Sequence, residues 1–282
     1  MLALVSAREA QALDEDLPPL TRALAARGIS HQIVYWDDQR VDWSGFSAAI
    51  IRSTWDYTDR LAEYLDWTDR AAAQTTLLNP PDVVRWNTHK RYLVELAARG
   101  VAVVPTRLIE VGDALAAFDG AEVVVKPAVG AGSRGARRFL DDAAGAAAHA
   151  QSLLNAGRDV LVQPYLGRVD TQGETSLIYF NGRYSHAIRK GPLLAANADA
   201  TRALFAPERI VSRDPTDDER TLGEFVLSQL PFAQSLLYAR VDLLRDASGA
   251  PVLLELELTE PSLFFATASG SAERFVAAYC QR

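Results

Sequence analysis

One short run constrains this chain more than any other: residues 122–139 read Glu-Val-Val-Val-Lys126-Pro127-Ala-Val-Gly130-Ala-Gly132-Ser133-Arg134-Gly135-Ala-Arg-Arg-Phe. Three β-branched valines end in a lysine, Pro127 stops the ladder, and three glycines pass before apolar residues return at Ala136 and Phe139, which predicts strand, glycine-rich loop, strand. The loop fits Gly-x-Gly-x-x-Gly, but a dinucleotide fingerprint must open a helix, and no helix signal precedes Asp141 and Asp142. It also fails as a Walker loop, because Ala136 and Arg137 stand where Lys-Ser/Thr is required. Two readings remain. One is a hairpin whose backbone N–H groups cover phosphates with Lys126 at its base; the other is a surface hairpin with a solvated lysine.

The rest of the sequence bounds the partners. A chain of 282 residues holds about two domains of ordinary size. Its 36 acidic side chains outnumber 29 basic ones, a net charge of −7 that argues against nucleic acid or an acidic membrane as partner. Any bound anion must therefore be met by local lysines and arginines. The single cysteine, Cys280, cannot form an internal disulfide. The apolar run 2–5 is too short for a signal peptide, and no stretch reaches membrane-spanning length, so a cytoplasmic protein is expected.

Along the chain, residues 2–5 predict a buried strand. Residues 17–27 predict a helix that begins at Pro18-Pro19 and stops at Gly28, and 31–36 and 48–52 predict two more strands. This βαβ order suggests an open α/β domain with ligands beyond the carboxyl ends of its strands. Arg52-Ser53-Thr54-Trp55-Asp56-Tyr57 falls at such an end and suits a substrate with a carboxylate and a small polar body, although an ordinary loop with one packed tryptophan fits as well. A helix over 61–73 follows, and Asn79-Pro80-Pro81 marks the domain junction. Asn87 or Thr88 can cap a helix running to Arg99, with Lys90 in its first turn, and 101–104 reads as a short strand. Beyond the glycine loop come a helix from Asp141 to Asn155 and a strand over 160–163. Gln163, Pro164 and Tyr165 close that strand as a hinge against which an adenine ring can lie. Asn181-Gly182 then joins strands 174–180 and 183–190, and a two-residue turn places Glu174 opposite Arg189. His186 reads as a packed or hydrogen-bonded side chain. Residues 191–207 read as a mobile loop over a site, and Thr216 with Glu219 forms a capping box for a helix to Gln229.

The second informative stretch pairs 236–244 with 252–258 across Asp246-Ala-Ser-Gly249. Strand period puts Leu254, Leu256 and Leu258 on one face and Glu255, Glu257 and Thr259 on the other, while Arg240 and Asp242 share a face of the partner strand. A solvated face is the ordinary reading of such a charge run, but carboxylates interleaved with leucines are poor strand formers, which favours a task over it. Asp242, Glu255 and Glu257 suit Mg2+ bridging nucleotide phosphates, with Arg240 balancing the charge.

Taken together these residues resemble the ATP-grasp superfamily over nearly the whole chain. The resemblance implies an α/β fold with an N-terminal open α/β domain (1–82), then an ATP-grasp domain (83–282) of two α+β subdomains, 83–165 and 166–282, gripping ATP. Lys90 and Lys126 resemble its phosphate-contacting lysines; Gly130, Gly132, Ser133, Arg134 and Gly135 its mobile loop; Gln163, Pro164 and Tyr165 its adenine hinge. Glu174 is grouped with these nucleotide-contacting residues. Arg240 and Asp242 match its phosphate arginine and first metal carboxylate, and Lys190 its basic residue facing the transferred phosphate. Glu257 stands where the glutathione synthetase branch usually has asparagine, which adds a negative charge beside Asp242 and Glu255. Arg52 to Tyr57 together with Glu255-Leu-Glu-Leu-Thr-Glu260-Pro-Ser-Leu-Phe is similar to the D-cycloserine-forming synthetases. The implied activity uses ATP and Mg2+ to turn the carboxylate of a small amino-acid-like substrate into an acyl phosphate, which an amine-type nucleophile attacks. Cyclisation of an O-ureido-serine is one form of this. Dipeptide or amide ligation, a small-molecule kinase and a silent nucleotide sensor are the alternatives, and a homodimer is compatible with all of them.

Overall fold

The computed structural model describes residues 1–118, 122–199, 209–234 and 236–282. Strands β1 (Leu2–Ser6), β2 (His31–Tyr35), β3 (Ala48–Ile51) and β4 (Thr76–Leu78), with helices α1 (Leu17–Ala26) and α2 (Leu61–Ala72), build the N-terminal α/β unit. Its parallel sheet runs β2-β1-β3-β4. Every residue of β1 and β3 is buried, as expected of strands covered on both faces. α1 opens on its prolines and closes at Gly28, whose φ of 67° suits a residue without Cβ. Trp36, Trp43, Tyr64 and Trp67 fill one side of this unit with edge-on contacts at 5.2 and 5.5 Å. β4 was not foreseen, because three residues carry too little periodicity.

The Asn-Pro-Pro junction differs from expectation. Pro81 occupies the first turn of helix α3 (Pro81–Asn87), where its missing N–H is harmless, so the prolines start a helix. A second helix, α4 (Tyr92–Ala98), follows after a turn, in place of one helix from Asn87 or Thr88 to Arg99. The expected boundary at 82/83 falls inside α3, where Val84 packs in the N-terminal core while Val83 packs with Tyr92, Leu93 and Leu96 beneath the largest sheet. Residues 101–104 do not form a strand; a single bridge joins Val103 to Leu253.

The second sheet is antiparallel, order β5-β8-β6-β7, from β5 (Arg107–Ile109), β6 (Glu122–Pro127), β7 (Arg137–Leu140) and β8 (Val160–Pro164), backed by α5 (Ala143–Asn155). Asp142 caps α5 by accepting from the Gly145 N–H at 2.8 Å. The third sheet, order β11-β10-β9-β12-β13, combines β9 (Glu174–Phe180), β10 (Arg183–Lys190), β11 (Ile210–Arg213), β12 (Tyr238–Arg245) and β13 (Pro251–Glu257), and α6 (Val169–Gln172) precedes it. Helix α7 (Asp217–Ser228) starts on the Thr216/Glu219 capping box. Helix α8 (Ser271–Tyr279) returns to the N-terminal unit, where Phe275 and Val276 share a core with Leu4, Leu20, Phe180 and Tyr238. The N-terminal unit and the third sheet thus bury one continuous apolar surface.

Two irregularities revise the strand registers. A bulge between Tyr184 and His186 shifts the β9/β10 hairpin by one, so Glu174 lies opposite Lys190 and not Arg189. A second, after Asp242, leaves Leu254 unpaired. Of the stretch 191–207, residues 191–199 cross to β7, where the Asn197 N–H donates to Arg138 O at 2.9 Å; 200–208 lie outside the described residues.

Asn79 stitches the units together. Its amide donates to Tyr238 O (3.0 Å) and Leu258 O (2.8 Å), and its carbonyl accepts from the Leu237 N–H at 2.9 Å, all with 1% exposure. Replacement by alanine leaves three buried backbone groups unpaired and is expected to lower unfolding free energy by about 2–4 kcal/mol. Urea denaturation is the check; a loss below about 0.5 kcal/mol contradicts the assignment.

Candidate active site

The cleft lies between the second and third sheets and is closed at one end by the N-terminal unit, with a volume of about 690 Å³. Strand β13 runs along its floor. Because a strand advances about 3.3 Å per residue, successive residues of β13 and the segment after it meet successive parts of a bound molecule.

At the first end the wall is apolar. Val104, Leu166, Val169, Leu244 and Leu254 cluster there, and all five line the cleft. Leu254 reaches this wall because of the bulge, which turns it out of the leucine face expected for it. Gln163, Pro164 and Tyr165 border the same space. The Gln163 amide donates to Thr106 Oγ1 at 2.8 Å, and the Arg138 guanidinium stacks on the Tyr165 ring at 3.5 Å. A flat, partly polar ring fits between such walls.

In the middle the charges gather. Register sets Arg240 opposite Glu257 and Asp242 opposite Glu255, with Ser176 of β9 next to Asp242. Lys190 Nζ pairs with Glu174 (2.6 Å) and Asp242 (3.0 Å), and Arg240 pairs with Asp242 (2.9 Å) and with Glu257. From the opposite side, Lys90 Nζ meets Glu255 at 2.9 Å and donates to Gly130 O at 2.6 Å. Lys90 sits in the turn between α3 and α4, not in the first turn of a helix, and is held there by its backbone N–H bonding to Ala128 O at 2.8 Å. Lys126 is half-buried on β6 and, among the described residues, makes no ion pair. Burial pushes its pKa down, and Glu255 partly offsets this. An unpaired cation at a cleft wall is a seat for an anion.

These pairings shift the acids in opposite directions. Burial pushes Asp242 up, but Arg240 and Lys190 overcome it and hold the carboxyl well below its ordinary range. Glu255 is likewise lowered against burial by Lys90 and Lys126. Glu257 is pushed up to about 7 by burial, less Arg240's opposing pull, with Asp242 and Glu255 adding repulsion. Of the three acids, Glu257 is the one whose charge the fold disfavours, the position at which asparagine would carry none.

No three carboxylates among the described residues form a ready-made metal cage. The donor set still fits Mg2+, which takes one or two carboxylates and completes its shell with phosphate oxygens and water. Asp242 and Glu255, opposite each other on β12 and β13, offer hard oxygens of that kind, with Glu257 two residues further.

The glycine loop overhangs this region. Gly132, Ser133 and Gly135 have φ of 59°, 60° and 76°, a left-handed run that glycine makes cheap. Arg134 pairs with Asp59 of the N-terminal unit at 2.6 Å, and His149 bonds Gly135 O at 2.8 Å. The loop thereby clasps the far side of the cleft.

At the second end, Trp55 and Tyr57 of the N-terminal unit meet Glu260, Ser262 and Phe264. The indole N–H of Trp55 donates to Glu260 O at 3.2 Å. Glu260 is pushed up to about 8 by burial, with Glu257 adding repulsion and the Tyr57 hydroxyl countering both. Arg52 departs from its expected place facing the cleft. It is 1% exposed, pairs with Asp16 at 3.3 Å and donates to Pro261 O at 3.2 Å. Asp16 in turn accepts from the backbone N–H groups of Leu263 (2.5 Å), Phe264 (3.2 Å) and Phe265 (2.8 Å). Arg52 thus supports the segment that carries Ser262 and Phe264 and does not itself line the cleft. Its strand end is fully covered by that returning segment, a long-range contact with no local signal. His186 is packed, bonding Leu263 O at 2.8 Å, and burial takes its pKa down to about 4. Sequence reasoning missed Asn87, whose amide donates to Leu256 O (2.8 Å) and whose carbonyl accepts from the Leu258 N–H (2.7 Å), fixing β13. It also gave Glu260 no role of its own; an acid just past an acid-rich strand was the available cue.

Two sheets that grip a cleft, with lysines from one side and carboxylates from the other, define an ATP-grasp ligase, an ATP-dependent enzyme. D-alanine–D-alanine ligase from Bacillus anthracis complexed with ATP shares the fold at a TM-score of 0.66 and 12% identity, over 99% of this chain and 96% of that one. Residues 2–79 match the family model of the D-cycloserine synthetase DcsG N-terminal domain. The cycloserine biosynthesis protein DcsG of Streptomyces lavendulae is 39% identical over 296 residues, covering 100% of this chain and 98% of its own. The crystal structure of D-cycloserine synthetase DcsG superposes at a TM-score of 0.90 with 36% identity, over 100% of this chain and 99% of that one. The chain belongs to the DcsG family. Among the described residues no helix is long and apolar enough to cross a membrane.

Replacing Lys126 with alanine removes the unpaired cation and is expected to weaken ATP binding roughly 10- to 100-fold, the worth of a charge-assisted hydrogen bond. Isothermal titration with ATP measures it. Unchanged affinity returns Lys126 to a solvated lysine.

Proposed function

We propose that this enzyme activates the carboxylate of a small amino acid as an acyl phosphate and closes a ring by attack of a nitrogen from the same molecule, with an O-ureido-serine as substrate. The observation that carries this reading is the second end of the cleft, where Trp55, Tyr57, Glu260, Ser262 and Phe264 line room for a small polar molecule beyond the charged middle. Its similarity to DcsG over full length supports the same substrate class.

ATP lies with its base against the Val104/Leu166/Leu254 wall and its phosphates over β13. Lys90, Lys126 and Arg240 receive the phosphate oxygens, Lys90 and Arg240 exchanging their carboxylate partners for them and Lys126 gaining its counter-charge. Asp242, Glu255 and Glu257 would hold Mg2+, which when bound supplies neutralisation of the phosphate charge. Lys190, between Glu174 and Asp242, faces the transferred phosphoryl group. The substrate carboxylate enters from the Trp55 end, in line with the γ-phosphate, and takes the phosphoryl group as ADP departs. Positioning and charge balance suffice for this step, so no side-chain nucleophile is needed. The glycine loop, clasped by Arg134 to Asp59, keeps water from the acyl phosphate until the nitrogen attacks and phosphate leaves. Arg52 acts at one remove, holding Asp16 and the 261–265 segment.

Incubation with ATP, Mg2+ and O-ureido-serine is expected to release ADP and free phosphate and to yield the ring-closed product by mass spectrometry. Phosphate retained on the organic product identifies a kinase and overturns the proposal. Glu255→Gln is expected to lower turnover by at least about a thousandfold with an unchanged circular-dichroism spectrum, since it removes a charged oxygen donor and Lys90's partner. Near wild-type turnover removes Glu255 from the metal site.

A further inference from the structure

Charge pairing in the cleft follows a rule with one exception. Each other buried or half-buried acid lining it has a cation partner: Asp16 has Arg52, Glu174 has Lys190, Glu255 has Lys90, Glu257 has Arg240, and Asp242 has both Arg240 and Lys190. Glu260 is 8% exposed and, among the described residues, forms no ion pair. A carboxyl group taken out of water without a counter-charge is costly, and proteins keep few of them without a reason.

Its setting specifies what kind of cation would complete it. Glu260 follows β13 by three residues, so it lies beyond the metal carboxylates and on the side away from the apolar first end. Trp55 (9% exposed) and Tyr57 (3% exposed) wall the same end, and the Tyr57 ring is fixed by stacking on Tyr64 at 4.7 Å. Trp55 is tied to Glu260 through its backbone oxygen. A buried carboxylate flanked by two immobilised aromatic rings fits a compact ammonium group, which the acid pairs with and the ring faces attract. A metal ion is a poorer match, because only one hard oxygen ligand side chain is unpaired here.

We propose that Glu260 receives the α-ammonium group of the substrate, with Trp55 and Tyr57 as its walls, and so makes the enzyme select amino acids over plain carboxylic acids. This rests on the small-amino-acid reading above. It divides the recognition of one molecule between two groups of the cleft lining: the carboxylate points toward Lys190 and Arg240, where the phosphoryl group arrives, and the ammonium is anchored at Glu260. The α-carbon is then held by its two charged substituents, which fixes which face of the carboxylate meets ATP.

The test compares kcat/KM for O-ureido-serine and its desamino analogue in the wild type, Glu260→Gln and Glu260→Asp, with ATP affinity measured in parallel. The wild type is expected to prefer the amino substrate by roughly a hundredfold or more, because the analogue leaves a buried carboxyl unmatched. Glu260→Gln should compress that preference to within about threefold, chiefly through KM for the amino acid, and leave ATP affinity within about twofold. Glu260→Asp should keep part of the preference. An undiminished preference in Glu260→Gln overturns the proposal. So does a wild type that handles both substrates alike, a result that requires no variant to fold. If the wild type ignores O-ureido-serine but prefers another α-amino acid over its desamino form, with the preference lost in Glu260→Gln, the ring-closing reading fails and the ammonium site stands. ADP release with amine-free carboxylates alone overturns both.

Discussion

Everything in this molecule depends on the antiparallel register of β12 and β13. That register sets Arg240 against Glu257 and Asp242 against Glu255, and the neighbouring strands add Glu174 and Lys190 to the same face. Four acids and two of the cations are therefore brought together by backbone hydrogen bonds alone, before any side chain chooses a rotamer. Lys90 arrives from the α3–α4 turn and Lys126 from β6. The charges lining the cleft nearly balance one another, which explains how so many can be held in a half-buried space. A nucleotide with its metal brings charge of both signs, so partners can be exchanged without leaving any group unmatched.

Keeping that register requires supports from far away in sequence. Asn79 and Asn87, eight residues apart, bond the backbone of β12, β13 and the segment after it. Asp16 gathers three N–H groups of the returning 263–265 stretch and is itself held by Arg52. The N-terminal unit is thus part of the active-site scaffold, and α8 seals the joint with Phe275 and Val276. The second end of the cleft is thus tied down by many buried hydrogen bonds, while the glycine loop meets the same unit through the Arg134–Asp59 pair and through Val129, which packs against the N-terminal core.

Much of this was legible in the residues. The valine–lysine–proline–glycine run of β6 and its loop, the Asn-Gly hairpin, the Thr216 capping box and the acids of β13 each carry a local signal, because turn chemistry and strand alternation act within a few residues. Arg52 was misplaced because its environment comes from Asp16 and Pro261, 36 and 209 residues away. The bulges at Tyr184 and Leu254 were missed since strict alternation hides a one-residue slip, yet the first is what sets Glu174 on Lys190 and the second is what completes the apolar wall.

Local sequence laid out the available chemistry: a lysine beside a glycine loop, two glutamates alternating with leucines and an aspartate on the paired strand, and aromatic residues after a buried strand. Those follow from side-chain type and backbone period, which are local. Which acids acquire a cation partner is settled by long-range packing. Partnership depends on which groups meet across the cleft, and burial, which is a property of the whole fold, sets the cost of going without. Glu257 and Glu260 are three residues apart in the chain and of one residue type, yet one is clasped by Arg240 and the other, at the Trp55 end of the cleft, has no cation partner among the described residues.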